Sequence, residues 1–184
     1  AGALNGITYS NSYAFEKLGW TSILIEPGNN NFRQLRKNRP RALTTHGAVC
    51  SSSSESFVEN HALGAVVNQH TLMHRTNWKM CNFKTTQVPC ISFPDIFRNL
   101  SKVDIVFLDV ERNEYAALKT HNWQIPVTVW IIEQKKRDVS IPGTQDYNVS
   151  KLLRSHGYVR TDWDLSSFCG PRQDCTSNVV YVRA

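Results

Sequence analysis

The sequence predicts a single α/β domain, residues 1–184, built on a mostly parallel sheet, and three observations carry that prediction. Ile23-Leu24-Ile25, Val103–Leu108 and Val127–Ile132 are apolar runs of the kind found in strands covered on both faces. Stretches with helical spacing alternate with them, and strands alternating with helices give a parallel sheet with right-handed crossovers. An acid closes each run, Glu26, Asp109 and Glu133 in turn, and the first two are singled out as the candidate ligand-binding pair. Ligands of open α/β sheets bind at the carboxyl ends of the strands, so these two carboxylates are placed to grip a small polar molecule.

The elements follow in order. Residues 11–18 carry apolar side chains at 14, 15 and 18 and predict a helix begun near Ser10 or Asn11 and stopped by Gly19. Trp20–Ile25 is a strand broken by Pro27-Gly28, and Asn29–Arg39 a helix ended before Pro40. Residues 42–50 form a short strand rich in β-branched residues, followed by a polar serine loop. From 57 to 92 the pattern is poor, consistent with a hairpin pair or irregular cover. Phe93, Ile96, Phe97 and Leu100 share a helical face, and after Asp109 so do Tyr115 and Leu118. A helix over 148–156 ends at Gly157, and strands are expected at 158–161 and 179–182.

Composition excludes several classes. With 41% hydrophobic and 20% charged residues the 184-residue chain is neither disordered nor fibrous. No apolar stretch is long enough to span a membrane, and the first residues lack the pattern of a signal peptide. The net charge is +6, and Arg33, Arg36, Lys37, Arg39 and Arg41 crowd nine positions; the reading adopted is a solvated helix face. Nucleic acid is not the expected partner, because no aromatic stacking surface is interleaved with these cations.

The five cysteines have no zinc-type spacing, so no metal is expected. Cys81 with Cys90, and Cys169 with Cys175, would close short loops in an oxidising compartment. The sequons Asn99-Leu100-Ser101 and Asn148-Val149-Ser150 point the same way. The expected location is therefore extracellular or the secretory lumen, with the cytoplasm as alternative.

About twenty residues before Glu26 lies a glycine-bearing turn, Gly2-Ala3-Leu4-Asn5-Gly6, whose small residues let backbone approach a ligand. At that spacing an acid meets a nucleotide ribose; the competing reading of Glu26 is an ion pair with a neighbouring arginine. No apolar strand precedes the turn, so the first strand is expected to be truncated and residues ahead of Ala1 to have been removed or to belong to a longer precursor.

Two blocks carry a family resemblance. The run AGALNGITYSNSYAFEKLGWTSILIEPGNNNFRQLRKNRPRA resembles the opening of FkbM-type methyltransferases: a G-A-x-D-G turn, S-N-T, a helix with a glutamate, G-W-x-G and a strand ending I-E-P. The segment VDIVFLDVERNEYAALKTHNW is similar to that family's I-D-x-L-x-x-D-x-E-G-x-E stretch. The resemblance implies a Rossmann-like fold with a seven-stranded, mostly parallel sheet and helices on both faces. It implies S-adenosylmethionine as cofactor and methyl transfer to a hydroxyl of a carbohydrate or other small-molecule acceptor.

Carried over by position, Gly2, Ala3, Asn5 and Gly6 would line the cofactor's methionine end, with Ser10 and Asn11 bracing that loop. Glu26 would take the ribose, and Cys50 and Ser51 would lie by the adenine. Asp109 and Glu111 would face the cofactor's amino group or the acceptor and are the first candidates for catalysis; Glu114, His46 and His121 are further candidate bases. The sequence departs from the pattern at Leu4 and Asn5, where a polar residue and Asp are usual, and at Arg112, which replaces a glycine. The rival reading is a noncatalytic descendant of the fold, a secreted or lumenal binding or trafficking module; the chain also resembles, in its S-N and I-E-P segments, a domain of the insect membrane protein Star.

Overall fold

The computed structural model describes residues 1–59, 64–67, 85–135, 138–163 and 178–184. Helix α1 (Tyr13–Lys17) ends at Gly19, whose φ of +91° suits glycine, and leads into strand β1 (Ile23–Glu26). Helix α2 (Asn29–Asn38) stops two residues before Pro40, and β2 (Leu43–His46) returns parallel to β1 in the register Ile23↔Leu43 to Glu26↔His46. Strands β3 (Ala48–Val49), β4 (Ser54–Val58), β5 (Ala65–Val66) and β6 (Thr85–Ile91) follow.

Helix α3 (Phe93–Phe97) starts at a capping box: Ser92 Oγ accepts from the Asp95 N–H, and the Asp95 carboxylate accepts from the Ser92 N–H. Strand β7 (Val103–Leu108), helix α4 (Glu114–Leu118), strand β8 (Val127–Glu133), a 3₁₀ turn over Asp138–Ser140 and helix α5 (Gln145–Ser155) complete the second half, with β9 (Tyr158–Thr161) and β10 (Asn178–Arg183).

Most expected elements are present within a few residues of their predicted limits, but the expected single sheet of seven mostly parallel strands is not what the described strands form. They form three sheets: β1-β2, the order β7-β8-β10-β9, and the order β3-β6-β4-β5. In the second, β7 and β8 are parallel and β10 is antiparallel to both neighbours. In the third, β4 and β6 pair antiparallel over Ser54↔Pro89 to Val58↔Thr85. Strands β4 and β6 are largely polar, Ser54-Glu55-Ser56 in the first and Thr85-Thr86-Gln87 in the second, so neither carries a continuous apolar run.

The core lies on the β7-β8-β10-β9 sheet. Leu108, Trp130, Ile132 and Tyr181 are fully buried, packed with Leu118 of α4 and Val149 and Leu153 of α5. At 25 cal/mol per Å², each aliphatic side chain contributes about 1.5–3 kcal/mol. No helix among the described residues is long and apolar enough to cross a membrane.

Candidate functional site

The chain's first residues lie between two strands. The Gly2 and Ala3 N–H groups both donate to the Ile25 carbonyl at 3.1 Å, the Ala1 amino group donates to the Phe107 carbonyl at 2.7 Å, and the Asp109 N–H donates to the Ala1 carbonyl at 3.3 Å. This clamp joins the ends of β1 and β7. Gly2 has φ +77°, and a Cβ there would fall 1.8 Å from the Asp109 carbonyl oxygen, so only glycine fits.

Glu26, 4% exposed, holds the turn together. Its Oε2 accepts the Leu4 N–H at 2.8 Å, and its Oε1 accepts the Gly28 N–H at 2.9 Å and the Asn31 amide at 3.4 Å. Burial pushes its carboxyl pKa up, and these donors pull back. No arginine is among these partners: burial is opposed by the Gly28 and Leu4 N–H groups, the Asn31 amide and the Ala1 amino group. Leu4 pays for its position with φ +50°, a left-handed strain that the Glu26 bond offsets.

Three acids meet at the ends of β7 and β8. Oxygens of Asp109, Glu111 and Glu133 lie within 4.8 Å of one another, a spacing at which such a group could hold a cation. Asp109 and Glu133 share a side-chain hydrogen bond. Burial, reinforced by the charge of Asp109, pushes Glu111 up to about 7. Burial and the charges of Asp109, Glu111 and Glu114 push Glu133 up to about 9, so it holds its proton at neutral pH. The neutral Glu133 can then donate to an ionised Asp109.

A cavity of about 460 Å³ opens here. Of the residues picked out from sequence, Gly2, Ala3, Ser10, Asn11, Glu26, Asp109 and Glu111 line it, and Asn5, Gly6, Cys50 and Ser51 do not. Asn5 turns back into its own loop: Oδ1 accepts from the Ile7 and Thr8 N–H groups, and Nδ2 donates to Thr8 Oγ1. Gly6 is buried against Leu35 and Arg39. Cys50 forms a disulfide with Cys90, where Cys81 had been the expected partner. The reason is topological: β3 and β6 are parallel neighbours in the register Ala48↔Cys90, which brings the Cys50 and Cys90 Cα atoms to 5.1 Å. Cys81 and the Cys169–Cys175 pair lie outside the described residues.

The remaining candidate bases serve the architecture. Glu114 is buried, with Oε1 accepting from the Val110 and Arg112 N–H groups and Oε2 from Gln145. His46 stacks on Phe32 with Nε2 3.0 Å from the Pro27 carbonyl, and His121 sits among Phe93, Phe97, Trp123 and Trp130.

Arg112 is directed away from the cavity. Its Nη1 donates to Asp146 at 3.3 Å, and it does not line the pocket. Its φ of +74°, next to Glu111 at +51°, shows why a glycine suits that position.

Two residues that the sequence reading did not nominate complete the site. Glu133 closes an apolar strand just as Glu26 and Asp109 do, a signal that was present. Arg39, expected on a solvated face, is 1% exposed: it donates to Glu16, Ser10 Oγ and the Gly6 carbonyl, pinning the turn from behind.

The family model described as the Methyltransferase FkbM domain matches residues 1–160. The chain belongs to the FkbM methyltransferase domain family. The match takes in every element from α1 to most of β9, so the FkbM domain contains the clamp, the cavity and all three clustered acids. No curated protein and no solved structure matches the chain.

Proposed function

We propose that this FkbM domain is an S-adenosylmethionine-dependent methyltransferase acting on a hydroxyl of a carbohydrate or other small molecule. The observation that carries the reading is the acidic cleft at the carboxyl ends of β1 and β7, where Glu26, Asp109 and Glu111 line one cavity beside the backbone of Gly2 and Ala3. A carboxylate-walled cleft suits a ligand bearing a sulfonium and an ammonium group. The residues fit that cofactor: Gly2, Ala3 and Leu4 would hold its amino-acid end, with Ser10 and Asn11 beside them, and Glu26 its ribose. When bound, it would supply an activated methyl group.

What remains for the protein is to place the acceptor and take its proton. Glu111 is suited to the proton, because a base with a pKa of about 7 is half ionised at working pH. Asp109, kept in place by Glu133, would supply the fixed negative charge. Asn5, Gly6, Cys50 and Ser51 act on this reading through the loops that they shape. The Cys50–Cys90 disulfide supports a setting outside the cytosol.

The noncatalytic binding module remains the second reading. It is favoured by Asn5, whose side chain is spent on its own loop where the family's acid would reach a ligand. Titration calorimetry with S-adenosylmethionine and S-adenosylhomocysteine tests both. Binding to the intact chain that is lost in Glu26→Ala supports the enzyme, and absence of heat with the intact chain overturns it.

A further inference from the structure

Helix α5 packs against β9, the edge strand of the main sheet, and the polar groups brought together there are not matched. Arg160 of β9 pairs across the ladder with Tyr181 of β10, so both side chains stand on one face of the sheet. Ser150 and Arg154 are four residues apart on α5 and therefore neighbours along one stripe of the helix. Burial pushes the Tyr181 hydroxyl pKa up, and Ser150, Arg160, Arg154 and Gln134 oppose it, so these groups converge on one oxygen. Tyr181 gives its proton to Gln134 Oε1 at 2.8 Å, and Gln134 spends its amide on the Asp146 carbonyl. Two donors are left over. Arg160 Nε is shut off from solvent without an acceptor, and Ser150, 2% exposed, has an Oγ without a hydrogen-bond partner. No carboxylate pairs with Arg160 or Arg154 among the described residues, and Asp146, the buried acid of α5, is taken by Arg112. Folded proteins leave few buried donors unmet, and a charged one is the most costly to leave so.

We propose that Ser150, Arg154 and Arg160 form a binding site for a tetrahedral oxyanion, a phosphate or sulfate group, where α5 meets β9. Such a group supplies the acceptors that this corner lacks. The planar guanidinium of Arg160 offers its donors in a fixed fork that suits two oxygens of one oxyanion, and the Ser150 hydroxyl serves a third. Arg154, exposed in the last turn of α5, adds a second positive charge from the solvent side. None of the three lines the cavity that holds Glu26, Asp109 and Glu111, so the oxyanion site is separate from the one on which the methyltransferase reading rests and stands without it.

Thermal melts of the 184-residue chain in inorganic phosphate, sulfate and chloride at matched ionic strength test the site, because a ligand of the folded state raises the midpoint with its concentration. Phosphate and sulfate are expected to raise the midpoint above that in chloride. Phenyl phosphate is added as a separate arm: a rise with it shows that the site takes a phosphate ester, and a rise with inorganic phosphate alone that it takes the free ion. Arg160→Gln should abolish the rise and melt no lower than the parent in chloride, since it removes a buried charge that has no partner there. Ser150→Ala should weaken phosphate at least about fivefold, measured by titration calorimetry well below the midpoint. Arg36→Gln, on the exposed side of α2, should keep the full response, which separates a built site from general attraction to a basic protein. A midpoint no higher in phosphate than in chloride, a response kept in Arg160→Gln, or one lost equally in Arg36→Gln overturns the proposal.

Discussion

Arg39 and Glu16 form an ion pair of 2.6 Å in which the arginine side chain is fully buried. The same guanidinium donates to the Gly6 carbonyl at 2.9 Å and to Ser10 Oγ at 3.1 Å, so one side chain ties the C-terminal end of α2 to the turn and to α1. Arg39→Ala leaves the Glu16 carboxylate and the Gly6 carbonyl without a donor and is expected to cost about 3–5 kcal/mol, read from urea denaturation. Arg39→Lys cannot reproduce the fork and should recover less than half of that. A cost below about 1 kcal/mol for Arg39→Ala would place the pair among weak surface contacts.

Gly2→Ala forces a methyl group onto the Asp109 carbonyl and an alanine into φ +77°. Destabilisation of at least about 2 kcal/mol is expected, since backbone has to move. Cofactor binding should fall with it. A thermal melt and a calorimetric titration on the same sample separate the two effects.

The acid cluster sets a pH dependence with a definite sign. Glu111 and Glu133 titrate near 4.5 in an unfolded chain and at about 7 and about 9 in the folded one. The folded state thus holds more protons, and these groups lower stability as pH rises from 4.5 through the folded values. Glu133→Gln removes the larger part: the variant should match the parent at pH 4 and exceed it by about 1–2 kcal/mol at pH 8. Denaturant midpoints at the two pH values decide it, and an unchanged difference between them refutes the assignment.

The Cys50–Cys90 bond closes a sequence separation of 40 residues, for which loop entropy alone gives a stabilisation of about 4 kcal/mol. Cys50→Ser with Cys90→Ser is expected to lower the melting temperature by several degrees or more. Peptide mapping without reductant should recover the residue 50 and residue 90 peptides linked together.

Arg112→Gly relieves a left-handed arginine and loses a single partly exposed ion pair with Asp146. The two effects nearly offset, so stability should stay within about 1 kcal/mol. Cofactor affinity should stay within about twofold, because the guanidinium does not face the cavity. A tenfold gain in affinity would show that Arg112 obstructs the site.

The strands at 23–26, 103–108 and 127–133 were legible because burial on both faces leaves a continuous apolar signature. The acids that end them were legible by position, and Glu26 and Asp109 do line one cavity. Glu133 carried the same signal but gained its meaning only from its bond to Asp109, a contact between two strands that no local pattern encodes. Arg39 looked like its exposed neighbours because a single buried cation in a basic run has the same sequence as a solvated one. The Cys50–Cys90 pairing depended on which strands became neighbours, and sheet topology is nonlocal. The largely polar strands β4 and β6 were hidden for the complementary reason, since Ser54-Glu55-Ser56 and Thr85-Thr86-Gln87 leave no apolar run.

The bond between Glu133 and Asp109 makes the cleft a proton store as well as a binding surface. Without a ligand Glu133 keeps its proton and Glu111 is about half protonated near neutral pH, which limits the charge held in a partly dry site. A cation arriving there displaces protons into the buffer and adds to the charge already held on Asp109. The heat of binding should consequently change with the ionisation enthalpy of the buffer. A ligand of the same shape without positive charge should bind with no such dependence.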